Sequence, residues 1–194
     1  MTSSLLFRRL SSGCLIAVLA TLTVMACARP SGEPAHFDAT ERAKAKALAV
    51  AMSLKEQGLP VGDIALCTPP APAPDGHPNP DAAAFSDTGL TRHADPRRIS
   101  YGGVVEVFGS PAGVRDRQKQ LAEQAKTAQA YGFDEGGHAL QTERQFSSGP
   151  VLLRLTGDVP EMRAVAYRSA LKVASAATAD PSLLSRFKEA PCST

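Results

Sequence analysis

Tryptophan is absent from this 194-residue chain, and aromatic side chains make up 5% of it, as seven Phe and three Tyr. That poverty argues against the stacking platforms on which carbohydrate-binding modules rely. No run of 18 or more uninterrupted apolar residues occurs, which excludes a multi-span helical membrane protein. One-sided charge is also missing. The 21 Lys and Arg against 19 Asp and Glu give a formal +2, and that excess equals Arg8 and Arg9, which fall in a segment read below as a removable leader. Without them the chain is neutral and lacks the cationic field that nucleic-acid binding requires, so no nucleic-acid partner is expected. The catalytic signatures G-x-S-x-G, the Walker loop, H-E-x-x-H and the EF-hand loop are absent as well. The Gly102-Gly103 and Gly136-Gly137 pairs are isolated, and suit strand and loop ends better than phosphate binding.

What is present begins at the N-terminus. Residues 1–13 carry Arg8 and Arg9 and no acid, and the mostly apolar run LIAVLATLTVMA follows to Ala26. A positive start, a short apolar stretch and a small residue before a cut are the parts of a secretory signal. At 1.5 Å per residue the run spans only about 18 Å, short for a membrane helix. Val24-Met25-Ala26-Cys27 resembles a bacterial lipobox, with an aliphatic residue at −3, a small one at −1 and the cysteine to be acylated, as by palmitate, at +1. That resemblance implies a mature protein beginning at lipidated Cys27 and anchored to the outer side of the cell membrane. Cys14 is the weaker candidate, since Ser11 holds its −3 position. The Arg8-Arg9 pair leaves twin-arginine export as the alternative to the general secretory route, which the Leu-Ser-Ser that follows favours.

Cysteine arithmetic fits this reading. Of four cysteines, Cys14 leaves with the signal and Cys27 takes lipid. Cys67 and Cys192 remain, and outside the cytoplasm two remaining cysteines most simply form one disulfide. No spacing supports a CxxC redox or zinc motif.

The chain therefore divides into a lipoprotein signal peptide (1–26), the lipidated cysteine with a Pro/Gly-rich flexible tether (27–37), and one domain (38–194). Asp38 and Glu41 have capping-box spacing and open an Ala-rich helix to about Gln57, with Leu48, Ala51, Met52 and Leu54 inward. Gly58 and Pro60 stop it. Residues 61–67 read as a strand weakened by Gly62. Residues 68–100 hold seven prolines and read as one long irregular loop. Residues 103–108 are a β-branched, aromatic strand. Ser110-Pro111 then starts a helix to about Ala130, with a thin inner stripe of Val114, Leu121, Ala125 and Ala128. Residues 140–146 and 151–156 form a hairpin in which Phe146 opposite Val151 would put Glu143 beside Arg154. Asp158 and Glu161 suggest a second capping box, opening a helix to about Thr178 with Met162, Val165, Ala166, Ser169 and Val173 as its apolar set. The order predicts a two-layer α+β fold, with helices on one face of an antiparallel sheet of about three to four strands.

The stretches YGGVVEVFGSPAGVRDRQ and GPVLLRLTGDVPEMRAVAYRSAL, following a lipobox, resemble the small actinobacterial lipoproteins of uncharacterised function. The similarity covers about half the mature chain and implies location and fold, with no catalytic residues. Residues 77–90 (HPNPDAAAFSDTGL) depart from the Gly-Arg-Pro and Tyr-Thr-Ser-Lys stretches such proteins carry there.

Candidate chemistry is sparse. His93 and Asp95, with His77 and Asp81 in the same predicted loop, could ligate a metal or run acid–base catalysis, although solvated loop residues are the ordinary reading. His36 and Asp38 share the His-x-Asp spacing, but lie in the tether and at a helix cap. Arg92, Arg97 and Arg98 could meet anionic headgroups or wall polymer, or be balanced by Asp87 and Asp95. Glu106, Glu143 and Arg154 could converge on the exposed sheet face, as a cross-strand charge network or, in the alternative, as a site. The expected function is a lipid-anchored, non-catalytic binding or accessory domain of the cell envelope that needs no cofactor. Its partners are the membrane, through the anchor, and an envelope protein or small ligand. The alternatives are a metal- or His/Asp-dependent hydrolase with its site in 68–100, and an interaction or inhibitor domain using an exposed sheet face or edge.

Overall fold

Asp38 caps the first helix through its side chain, which accepts from the Glu41 N–H at 2.7 Å while Glu41 accepts from the Asp38 N–H at 3.1 Å. This reciprocal box starts α1 (Ala39–Glu56) as expected, and Gly58 at φ +82° ends it in the left-handed conformation glycine favours. The computed structural model describes residues 37–68, 80–90, 99–131, 143–187 and 189–191, which fall within a compact unit that starts at His36. Among the described residues no helix is long and apolar enough to cross a membrane.

After α1 come β1 (Val61–Thr68), β2 (Asp81–Asp87), β3 (Gly102–Val107), α2 (Pro111–Tyr131), β4 (Glu143–Ser148), β5 (Val151–Thr156), α3 (Glu161–Ala174) and β6 (Glu189–Pro191). The fold is α+β, with sheet order β4-β5-β3-β2-β1-β6. Five strands pair antiparallel, and the short β6 adds a parallel edge against β1. The bulge between Val61 and Ile64 includes Gly62.

The sheet is wider than the expected three to four strands because β2 lies inside the stretch read as one loop. Its sequence, DAAAFSD, hides it: alanine has little strand preference. Between β1 and β3, though, Ala82, Ala83, Ala84 and Phe85 are all buried, and small side chains let other elements approach both faces. Asp81 and Asp87 are consequently strand residues, not loop charges.

Helices also cover both faces instead of one. Phe85, Val105, Leu153 and Leu155 pack with Val50, Leu54, Tyr167 and Leu171 of α1 and α3. On the opposite face Leu152 meets Val114 and Leu121 of α2. The contact is as thin as the sequence suggested: Ala125 is already exposed. A third group, Cys67, Ala82, Ala84 and Val104, packs under Ile99 of a short 3-10 turn.

The β4–β5 hairpin closes through Gly149-Pro150, with Gly149 at φ +57°, and pairs Ser148 with Val151 and Phe146 with Leu153. Its register is two residues tighter than expected, which leaves the described side chains on their expected faces. Two readings of α3 do not hold. Pro160, not Asp158, is the N-cap, and it makes no side-chain capping bond. The buried stripe is Ala164, Tyr167, Leu171 and Ala174, while Met162, Val165 and Val173 are exposed. The two stripes lie two positions apart, about 200° around a helix of 3.6 residues per turn. Tyr167 decides the phase, since its ring stacks on Phe85 with centroids 5.8 Å apart.

Candidate functional site

Ionic groups collect at two places in the sheet. The first lies on the α2 side. Alternation along β3 and β5 turns Glu106 and Arg154 to the same face, where their side chains are 4% and 6% exposed. Arg154 Nη1 donates to Glu106 Oε1 at 2.7 Å. Its Nε and Nη2 donate to both oxygens of Glu143 at 2.8 and 2.7 Å, a bidentate fork. From α2, Arg117 donates to Glu106 at 3.2 and 3.3 Å and to Gln120 at 2.7 Å.

Two guanidinium groups thus face two carboxylates with no net charge, and Arg117 fastens α2 to the sheet between its two buried apolar residues, Val114 and Leu121. Burial alone would lower the proton affinity of Arg154, but Glu106 and Glu143 outweigh it and raise its pKa still further above the ordinary range. Such a guanidinium is a fixed cation and cannot serve as a base. The convergence of Glu106, Glu143 and Arg154 was legible in the sequence, but the face was expected to be exposed, and α2 instead covers it and buries Glu106 and Arg154. Arg117 and Gln120 were not, because neither strand alternation nor hairpin register reaches α2.

The second cluster was missed outright, since it depends on β2. Asp87 is fully buried on the α1/α3 side. It accepts from Arg163 Nη1 at 2.9 Å, from Tyr167 Oη at 3.2 Å and from the Gly89 N–H at 2.7 Å. Burial, followed by the neighbouring carboxylate, pushes the Tyr167 phenol well above its usual range. The phenol is therefore a hydrogen-bond donor that holds its proton. Asp87, Arg163 and Tyr167 tie the end of β2 to α3, with the Arg163 guanidinium lying against Gly89.

Among the described residues no buried side-chain nitrogen or oxygen lacks a partner, and no three His, Cys, Asp or Glu gather as a metal-binding group. Of the four loop candidates, Asp81 sits half-buried at the start of β2, while His77, His93 and Asp95 lie outside the described residues. Burial raises the Asp81 pKa; Lys44 opposes the rise, and Asp38 and Glu189 add to it. Arg92, Arg97 and Arg98 also lie outside the described residues, as do His36, Cys27 and the lipobox. Cys67 is fully buried and disulfide-bonded. Cys192 lies outside the described residues, but β6 runs parallel to β1 with Ala190 opposite Cys67.

No family model matches the chain, and comparisons with curated proteins and with solved structures found no match.

Proposed function

We propose that the protein is a lipid-anchored binding or accessory domain of the cell envelope, held to the membrane through Cys27. The observation that carries this reading is the Val24-Met25-Ala26-Cys27 sequence at the end of a short apolar run. Two features of the folded part support it. The compact unit starts at His36 and its first helix is capped from Asp38, which leaves about ten residues after the cysteine as a tether. The two buried ionic clusters use their groups on one another, as a structural framework does. Pairing of Cys67 with Cys192 belongs to the same reading, because an oxidising compartment permits it.

The test is replacement of Cys27 by Ala. Fractionation is expected to move the protein from membranes to the soluble fraction, and mass spectrometry of the wild-type chain is expected to find acyl groups on an N-terminal Cys27. Full membrane retention of the variant would reject the anchor.

A further inference from the structure

We propose that the outward face of α3 is a membrane-docking surface that lies against anionic phospholipid; the proposal rests on the lipid-anchored reading. Met162 is 87% exposed, Val165 50% and Val173 64%. Their spacing of three and eight residues places them on one stripe, opposite the side that carries Tyr167 and Leu171 into the core, with the exposed Ser169 between them. Two exposed cations, Arg168 and Lys172, border one side of this stripe, where the exposed Glu161 is already paired with Arg144. An apolar stripe bordered by Arg and Lys is the pattern of a helix lying in the plane of a bilayer surface.

The length of the tether and the end of α1 to which it joins support that occupant. Gln57, past the end of α1, donates to the Ala170 carbonyl of α3 at 3.3 Å, while Lys46, farther back in α1, donates to the Ala177 carbonyl. The two helices therefore run antiparallel, and the Asp38 end of α1 lies toward the C-terminal end of α3. A ten-residue tether reaches at most about 35 Å, with a root-mean-square span nearer 17 Å if flexible. An anchor at Cys27 thus keeps α3, about 21 Å long, close to the bilayer at high effective concentration. Three large apolar side chains also fall well short of the roughly 20–30 residues per side that a stable protein pair uses. A weak surface suffices where an acyl anchor already confines the domain.

The experiment uses the full lipidated chain carrying Ser169→Trp. With no other tryptophan in the sequence, the indole reports this face alone. On phosphatidylglycerol vesicles its emission is expected to shift to the blue and be quenched by brominated acyl chains. Met162→Ser with Val173→Ser should abolish both signals while circular dichroism stays unchanged. In the unlipidated Cys27→Ser chain, Arg168→Gln with Lys172→Gln should lower partitioning into phosphatidylglycerol by about thirtyfold, from about fivefold per cation. An indole that stays in water while the protein floats with the vesicles overturns the docking face and leaves the anchor standing. Failure of the wild-type chain to acquire lipid overturns the anchor, and the docking proposal with it. A blue shift that grows with protein concentration in the absence of vesicles assigns the stripe to a second copy and overturns the proposal.

Discussion

Replacing Arg154 by Met should destabilise the domain by about 2–3 kcal/mol. The substitution keeps most of the side-chain volume and removes three charge-assisted hydrogen bonds, one to Glu106 and two to Glu143. Those carboxylates are not equally stranded. Glu143, with 21% of its side chain exposed, can turn to water, whereas Glu106, at 4%, cannot. Glu106 does retain Arg117. The cost therefore falls below the roughly 3–5 kcal/mol of a buried pair stripped of its sole partner. Glu106→Leu should cost about 2 kcal/mol, because Arg154 keeps its fork on Glu143.

The double variant Glu106→Leu with Arg154→Met is more informative than either single change. It removes the buried charges together, and Arg117 can turn toward Gln120 and solvent. It should lie within about 1 kcal/mol of wild type, since apolar replacement of a whole buried pair is often neutral. The cycle should then give a coupling energy of at least about 3 kcal/mol, at or above the upper end for residues in one network. Urea titration measures it, provided the slope is unchanged across the four proteins. The coupling should also survive molar salt, because buried pairs are poorly screened. A cost below about 1 kcal/mol for Arg154→Met, or a double variant equal to the sum of the singles, would refute the claim that Arg154 and Glu106 act as one buried network.

Three further outcomes rest on the burial of Asp81, the packing around Gly102 and the place of Cys67 beside β6. Asp81→Asn should stabilise the protein at neutral pH: burial raises the carboxyl's folded pKa, so its contribution is fully present below the unfolded value and is lost as pH rises through the folded one. The gain should disappear in titrations below the ordinary value of 3.8, and equal urea midpoints at pH 7 would contradict it. Gly102→Ala should cost more than about 3 kcal/mol or prevent folding, in the range of severe backbone and overpacking effects. An added Cβ would collide with the Phe85 carbonyl oxygen and lie 2.6 Å from the Asp87 nitrogen, so wild-type thermal stability would show that β2 does not approach β3 so closely. Peptide mapping under oxidising conditions should recover Cys67 linked to Cys192, and reduction should cost up to about 5 kcal/mol for so long a loop; a link from Cys67 to another cysteine would reject the pairing.

Much of the frame was legible because local rules and tertiary demands agree in it. The Asp38–Glu41 box, the left-handed Gly58, the β-branched run of β3 and the Leu-rich β5 each appear where propensity puts them. The hairpin register slipped by two residues in the reading, yet Glu143, Glu106 and Arg154 still came together, since an even shift preserves the faces. Partners from α2 were illegible because nothing in the sequence gives the angle at which a sparsely apolar helix crosses a sheet. Strand β2 was lost for a related reason. Its alanines carry no strand signal, and their use appears only when Cys67, Val104 and Ile99 close on Ala82 and Ala84 from one side while α1 approaches from the other.

Helix α3 shows how the same reasoning can fail and leave a useful residue. Read by hydropathy, its apolar set is Met162, Val165, Ala166, Ser169 and Val173. The core instead receives Ala164, Tyr167, Leu171 and Ala174. Both stripes are plausible helical faces, and size and partners choose between them. The Tyr167 ring covers Phe85, its hydroxyl satisfies a fully buried carboxylate, and Arg163 adds a second bond to the same Asp87. Turning the helix to bury Met162 and Val173 would strand that carboxylate without its two side-chain donors, at a cost of several kcal/mol for an unpaired buried charge. The apolar stripe is on the surface because Asp87 requires the other one inside, and a local rule broken without compensation in the core is where a function outside the core is to be sought.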